Sequence, residues 1–240
     1  MIEKALKYIV GLNKPELKEI NGQTYSDKPL QRISHNPKAE PIQMHTLSSL
    51  VDYIKSKADK IPEKMFIHIQ SPTRVQFYSS LDEERSRECM VEVNALVPEF
   101  RFNQFMDHEV FCINLQAKFI NCEDTEKALL LKFAGTVEAG TVADYGDDGV
   151  TQKATVKTGI ASKGEAVIPS PITLKPYRTF VEVEQPLTQF IFRMKQDKYD
   201  GIQCALFEAD GGAWTIDAMY NIRLYLKNAL SEFNEISIIS

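Results

Sequence analysis

The spacing of the apolar residues changes near Gly135, and this change limits the folds that the chain can adopt. Before Gly135, several segments repeat their apolar residues with the helical period of about 3.6 residues. After it, apolar and polar residues alternate, which is typical of strands with one buried face. Candidate strands there cover residues 136–143, 150–158, 165–169, 172–175, 177–184, 189–195 and 203–208. Residues 136–215 are therefore predicted to be predominantly antiparallel β-strand.

Four helices are expected after residue 45. Three of them follow a side chain that can accept hydrogen bonds from a helix N-terminus, and these side chains are Thr46, Asp107 and Asp124. The helix after Asp124 is expected to run to Ala134 and to stop at Gly135. The helix after Asp107 has two apolar stripes, Val110, Ile113, Ala117 and Ile120 on one and Phe111, Leu115 and Phe119 on the other. The terminal helix, residues 216–232, has a stripe made of Ile216, Met219, Ile222, Leu226 and Leu230.

The first 64 residues differ from the rest. Residues 2–10 have helical spacing, and Gly11 ends that pattern. Residues 11–45 show little periodicity and are predicted to form a long loop or linker with one short strand at most, around Gln23–Tyr25. From residue 65 onward, a hairpin of Met65–Gln70 and Arg74–Ser79 and a third strand at Glu88–Val97 are expected.

These patterns predict an α+β protein. It would have an antiparallel, sheet-rich core with helices packed on one side, and the C-terminal helix docked on the sheet. We predict two parts, residues 1–64 with the N-terminal helices and an extended linker, and residues 65–240 as the main domain, rich in strands from residue 136. A chain of 240 residues can bury a sizeable core without disulfides.

Charge and cysteine content exclude some classes of protein. The net charge is −5 and the pI is near 5.5, whereas a dedicated double-stranded nucleic-acid binder needs a basic surface. The four cysteines form no C-x-x-C pair and no disulfide framework. No apolar run is long enough for a membrane-spanning helix, and no signal peptide is recognised. We therefore expect a disulfide-free protein of the cytoplasm, with no membrane partner.

No metal or cofactor site is predicted. His108 and Cys112 are four residues apart on one expected helix, and Cys122 follows ten residues later, so imidazole and thiolate could share a zinc ion. A fourth ligand is not evident, and a cysteine on a helix is more often a small core residue. No motif of nucleophilic catalysis is present either.

Charged residues recur within the aromatic-rich last third of the chain. Alternation in a strand at 177–184 would place Arg178, Glu182 and Glu184 on one face, and Arg193 and Glu208 would lie on the following strands. We expect these five residues to lie close together. The turn Asp210-Gly211-Gly212 should have glycines with positive φ, and Trp214 should be largely buried with its indole N–H bonded. The candidate binding residues are Arg178, Glu182, Glu184, Arg193, Glu208, Asp210 and Trp214, and no catalytic residue is assigned.

Four interpretations of this charged face stay open. It can be a solvated face with salt bridges, a surface for a ligand or partner, or a catalytic pair of carboxylates whose pKa values are split by burial. The aromatic residues between Arg178 and Arg193 can also stack single-stranded bases, although such mixing equally describes a sheet core with a polar rim.

Three phrases of this region, with one that precedes them, resemble a known family. They are Asp148–Gln152, Pro171 to Leu174 with Pro176–Phe180, Glu182–Pro186 and Phe207–Trp214. Together they resemble the YfdQ-like family of uncharacterised phage and prophage proteins, over about residues 88–230. The resemblance implies a phage or prophage origin, and it implies no catalytic residue.

Three functions follow as hypotheses. The first is a non-enzymatic phage or prophage accessory protein, working as a homo-oligomer in the cytoplasm of the infected host. It would bind a host, defence or phage protein, or sequester a small ligand. The second is a single-stranded nucleic-acid-binding accessory of phage DNA metabolism, using the arginine and aromatic residues. The third is a carboxylate-dependent hydrolase or nuclease using Glu182, Glu184 and Glu208.

Overall fold

The computed structural model describes residues 15–29, 38–60, 64–123, 125–136, 152–157, 163–197 and 201–240. The predicted helix at residues 2–10, the N-cap Asp124 and most of the predicted strand at 136–143 lie outside these residues. The chain divides into two compact units, residues 1–39 and 40–240. The division that the sequence suggests after residue 64 falls inside the second unit.

The described residues form four helices and thirteen strands. The helices are α1 (Leu47–Ser56), α2 (His108–Lys118), α3 (Lys127–Thr136) and α4 (Trp214–Ala229). The strands before α2 are β1 (Leu17–Ile20), β2 (Gln23–Ser26), β3 (Ile42–Met44), β4 (Met65–Ser71), β5 (Arg74–Ser79), β6 (Cys89–Asn94) and β7 (Met106–Asp107). The later strands are β8 (Gln152–Lys157), β9 (Lys163–Ile168), β10 (Ile172–Leu174), β11 (Thr188–Asp197), β12 (Gly201–Glu208) and β13 (Ile236–Ile239).

The first unit contains an antiparallel hairpin of β1 and β2, where a linker with at most one short strand was predicted. That prediction was wrong, since β3 also falls within residues 11–45. Asn21 and Gly22 both have positive φ, 53° and 76°, as a tight two-residue hairpin turn requires. The Asn-Gly pair is the strongest short-range sequence signal of such a turn, so the hairpin could have been recognised. The predicted strand at Gln23–Tyr25 is confirmed as β2.

A five-stranded sheet in the order β13-β4-β5-β6-β3 forms one half of the second unit. The pairs β4–β5 and β5–β6 are antiparallel, as the predicted hairpin required, and the two outer pairs are parallel. Helices α1 and α4 pack on this sheet. Thr46 caps α1 by accepting a hydrogen bond from the backbone N–H of Ser49. The shared core includes Leu47, Leu50, Ile54, Ile67, Phe77, Val91, Ile222 and Leu226.

A four-stranded antiparallel sheet in the order β10-β11-β12-β7 forms the other half. Asp107 caps α2 as predicted, accepting hydrogen bonds from the N–H groups of Glu109 and Val110. Of the two apolar stripes of α2, only Phe111, Leu115 and Phe119 are buried. The core of this half includes Leu130, Phe133, Ile172, Phe190, Phe192, Met194, Cys204 and Leu206. Strands β8 and β9 form a separate antiparallel ribbon.

The α+β class is confirmed, with two sheets that each have their own pair of helices. Among the described residues of 136–215, every strand pair is antiparallel, as the alternating pattern predicted. Helix α4 docks on β4 and β13 as expected. Two details differ, because Ile216 of the predicted buried stripe is 71% exposed and α3 continues past Gly135 to Thr136.

Candidate functional site

The segment from Lys175 to Leu187 is a loop between β10 and β11, so the predicted strand at 177–184 is wrong. The buried side chain of Gln185 holds this loop. Its carbonyl oxygen accepts hydrogen bonds from the N–H groups of Arg178 and Thr179, and its amide donates to the carbonyls of Phe180 and Val183. These bonds satisfy backbone groups that a sheet would otherwise satisfy, so an irregular segment can be buried.

The loop also joins the two halves of the second unit. Phe180 and Val183 belong to the core of the five-stranded sheet. The Thr179 hydroxyl donates a hydrogen bond of 2.5 Å to the carbonyl of Pro72, in the turn between β4 and β5. Arg178 instead contacts Phe190, which lies in the core of the four-stranded sheet. Arg178 and Phe180, which the alternation predicts on one face of a strand, therefore contact two different cores.

Arg178 is the centre of a closed cluster and is 5% exposed. Its guanidinium carbon lies 4.0 Å from the ring centre of Phe102 and 4.4 Å from that of Trp214. Its Nη2 lies 2.7 Å from Oε1 of Glu208. We call Arg178, Phe102, Phe190, Glu208 and Trp214 the arginine cluster. Burial lowers the pKa of Arg178, while the carboxylates of Glu208 and Asp210 act in the opposite direction.

Glu208 is fixed from a second side. Asn103 donates from Nδ2 to Oε2 of Glu208 at 3.3 Å, and the N–H of Glu208 donates to Oδ1 of Asn103 at 3.0 Å. Both carboxylate oxygens of Glu208 therefore have partners. The Nη1 atom of Arg178 is buried and has no acceptor among the described residues. The arginine cluster has its charges paired and its cation covered by aromatic rings, which suits a structural role more than binding of a ligand.

Asp210 begins the turn that leads to Trp214 of the arginine cluster. Gly211 and Gly212 have φ of 63° and 85°, which confirms the predicted turn. Oδ1 of Asp210 accepts a hydrogen bond of 3.0 Å from the N–H of Gly212, and Oδ2 accepts one of 3.4 Å from the N–H of Trp214. Asp210 thus supports the first turn of α4. Trp214 is half-buried rather than largely buried, because its ring covers Arg178 at the edge of the core.

Glu182 and Glu184 lie at the other end of the loop, beside α4. Oε1 of Glu182 accepts hydrogen bonds from the N–H and the hydroxyl of Ser48, at 3.1 and 3.2 Å, at the start of α1. Its Oε2 is buried and has no partner among the described residues. Glu184 is exposed and forms an ion pair with Lys175. Neither carboxylate is a partner of Arg178.

A groove separates this end of the loop from α4. It has a volume of about 180 Å³ and is lined by Glu182, Val183, Glu184, Asn221, Leu224, Tyr225 and Asn228. We call it the loop–helix groove. Asn221 donates from Nδ2 to the carbonyl of Glu184 at 2.9 Å, which ties the loop to the helix. Burial raises the pKa of Tyr225, and the carboxylates of Glu182 and Asp52 raise it further. Next to the groove, Val181 is 68% exposed.

Arg193 lies away from the other candidates. Phe190 is paired with Glu208 across β11 and β12, and strand alternation places Arg193 on the opposite face of the sheet. That face also carries Lys195, whose Nζ lies 4.4 Å from the ring centre of Phe105, and Phe105 contacts Phe207 edge to face. The five charged residues that we expected together are thus divided among three places: Arg178 with Glu208, Glu182 with Glu184, and Arg193.

No group of three or more His, Cys, Asp or Glu that could hold a metal occurs in the described parts of the chain. His108 and Cys112 are neighbours, with Nε2 and Sγ 3.7 Å apart, and Nε2 also lies 2.5 Å from the carbonyl of Ala134. Burial raises the pKa of the Cys112 thiol, so its thiolate is disfavoured. The four cysteines carry free thiols.

Three residues that shape this site were not identified from the sequence, and these are Gln185, Asn221 and Tyr225. Gln185 had one available signal, since it is an uncharged polar residue between Glu184 and Pro186. Asn221 and Tyr225 gave none, because only the docking of α4 against the loop gives them a role.

Comparison of the chain with protein-family models, curated proteins and solved structures returned no match. The resemblance to the YfdQ-like family therefore stays a prediction. Within the described ranges, no helix is long and apolar enough to cross a membrane.

Proposed function

We propose that the protein is a non-enzymatic accessory protein of a phage or prophage that acts by binding another protein at the loop–helix groove. The observation that carries the proposal is that Val181 is exposed on a backbone segment that hydrogen bonds hold in place. Its neighbours Thr179, Phe180 and Val183 are buried, and Gln185 binds their backbone, yet Val181 is 68% exposed. An apolar side chain on a fixed backbone segment costs less entropy when a partner covers it than one on a segment that must first be ordered.

The groove favours a partner with a basic side chain between apolar ones. Glu182 and Glu184 make the groove acidic, with Glu184 exposed and paired with Lys175, and Val181 and Leu224 are exposed apolar residues near them in the chain or in the lining. The volume of about 180 Å³ suits one side chain, whereas sites for small ligands usually measure about 300–1,000 Å³. Recognition of a protein segment therefore explains the groove better than sequestration of a small ligand.

A second groove, of about 350 Å³, is large enough for a small ligand but gives only weak support to the hypothesis that the protein sequesters one. It is lined by Glu99, Arg101, Met106, Val110, Asn114 and Lys118. Lys118 already donates a hydrogen bond to the carbonyl of Glu99. The side chains of Arg101 and Glu99 are exposed and lie 4.0 Å apart, so they are not fixed in a position that would orient a ligand.

Affinity purification from infected cells with quantitative mass spectrometry tests the proposal. Val181→Asp and Glu182→Gln should each reduce capture of the partner about tenfold, equivalent to roughly 1.4 kcal/mol of binding. Glu182→Gln keeps an oxygen that can accept hydrogen bonds from Ser48, so the contact with the start of α1 is retained. Leu129→Asp and Glu235→Gln are matched controls at exposed positions elsewhere and should capture as the wild type does. Equal capture by all five proteins would refute the groove as the contact surface.

Binding of single strands is the second candidate, favoured by Lys195, Phe105 and Phe207 on the face of the four-stranded sheet opposite the arginine cluster. Arg178 cannot contribute, since aromatic rings cover its guanidinium. This candidate predicts salt-dependent binding of an oligonucleotide that weakens in Lys195→Gln and is unchanged in Val181→Asp. The hydrolase hypothesis is the weakest. Glu182 bonds Ser48 and Glu208 bonds Arg178, so these two carboxylates do not form one catalytic pair.

A further inference from the structure

Strand β13 is an edge strand with an open side. Among the described strands it pairs only with β4, so the N–H and C=O groups on its outer side have no strand partner. Natural proteins usually protect such edges with lysine, proline, a bulge or a very short strand. β13 has the sequence Ile-Ser-Ile-Ile, with neither charge nor proline. It is also the longest of the four edge strands of the two main sheets, the others being β3, β7 and β10.

Exposed apolar side chains lie above this edge on α4. Helix α4 contacts β4 and β13, so it covers the end of the sheet. The side of α4 at Tyr225 faces α1, since Tyr225 lines the loop–helix groove with Glu182 and Glu182 accepts hydrogen bonds from Ser48 of α1. Ile216 is nine residues earlier, which places it about half a turn away, on the side beyond β13. Ile216 is 71% exposed and Tyr220 is 63% exposed.

We propose that β13 pairs antiparallel with β13 of a second copy of this chain across a two-fold axis, forming a homodimer with one continuous ten-stranded sheet. Strand pairing across a two-fold axis is self-complementary, because each backbone donor meets the matching acceptor of the other copy. The same axis brings the two α4 helices side by side, so Ile216 and Tyr220 of both copies become covered. A foreign strand added to this edge would leave those side chains exposed, and an uncharged β13 causes no repulsion between identical copies.

Ser237 and Ile239 provide a direct test. Ile236 and Ile238 pack against the core, so alternation puts Ser237 and Ile239 on the other, exposed face of the sheet. In the dimer, side chains at these positions face one another across the two copies. We therefore compare two double variants, Ser237→Lys with Ile239→Lys and Ser237→Glu with Ile239→Glu. Ile113→Lys, at a 57% exposed position of α2, is the control.

Sedimentation velocity should give the wild type and Ile113→Lys twice the chain mass of 27.3 kDa. Each double variant alone should sediment as a monomer, because like charges oppose each other, and an equimolar mixture of the two should sediment as a dimer. Recovery in the mixture also shows that both variants are folded. Hydrogen exchange should show β13 amides that lose protection on dilution of the wild type. A monomeric wild type, double variants that dimerise alone, a mixture that stays monomeric, or dissociation by Ile113→Lys would each overturn the proposal.

Discussion

The arginine cluster and the loop–helix groove lie at two ends of one loop, and they use charge in opposite ways. At the arginine cluster, Arg178 is 5% exposed and paired with Glu208 under aromatic rings. At the groove, Glu184 is exposed and paired with Lys175, and Oε2 of Glu182 is buried without a partner among the described residues. A charge within an aromatic-rich segment can therefore be enclosed in the core or lie at the surface, depending on what covers it.

The largest expected effect is the loss of Arg178. Arg178→Ala leaves Glu208 without its cation and removes the side chain that fills the space between Phe102 and Trp214. Removing one partner of a buried pair costs about 3–5 kcal/mol, and we expect the lower end because Glu208 is a third exposed. Urea unfolding measures the loss. Arg178→Lys should recover only part of it, since an ammonium group cannot stack between two rings as a guanidinium does.

Partner capture distinguishes a structural role of Arg178 from a role in binding. The folded fraction of Arg178→Ala should capture the partner as well as the wild type does. A loss of capture at unchanged stability would contradict the structural role of Arg178 and move it to the binding surface.

The sequence predicted the parts of the fold that local signals determine. Thr46 and Asp107 were found as caps, and the β4–β5 hairpin and the Asp210-Gly211-Gly212 turn were placed correctly, because each depends on residues a few positions apart. The loop at 177–184 was mistaken for a strand because Phe180 and Val183 are buried in one core while Arg178 contacts the other. Such contacts join elements far apart in the chain, and no spacing within the loop reveals them.

The next largest effect concerns the loop itself. Gln185→Leu keeps a buried side chain of similar size but leaves the N–H groups of Arg178 and Thr179 without an acceptor. Each unsatisfied buried group costs about 1–3 kcal/mol, so the two groups together should cost about 2 kcal/mol at the lower end of that range. Because this side chain fixes both ends of the loop, partner capture should also fall at temperatures where the variant remains folded. Unchanged stability would show that the loop does not depend on Gln185.

A smaller effect is expected at Gly211, in the turn that supports Trp214. Its φ is 63°, and a Cβ added there would meet no atom within 4 Å, so the cost of substitution is conformational rather than steric. Gly211→Val should lower the free energy of unfolding by roughly 1 kcal/mol or more. Gly211→Asn should cost less, because asparagine tolerates the left-handed region. Equal melting temperatures for the valine variant and the wild type would contradict the geometry of this turn.

The smallest effect tests the groove through the titration of Tyr225. The pKa of this phenol is raised, first by burial and then by the carboxylates of Glu182 and Asp52. Glu182→Gln removes one of these charges, so the pKa of Tyr225 should fall while the other tyrosines titrate as before. Absorbance at alkaline pH, taken as the difference from Tyr225→Phe in each background, measures the shift. Since the protonated phenol is favoured in the folded state, its contribution to stability is complete below the unfolded pKa of about 10 and is lost as pH rises through the folded pKa.

Asp217→Asn, which removes an exposed charge on the same helix, should leave the titration of Tyr225 unchanged. If Glu182→Gln also left it unchanged, Glu182 would not act on the groove, and the contrast between the two ends of the loop would rest on Glu184 and Val181 alone.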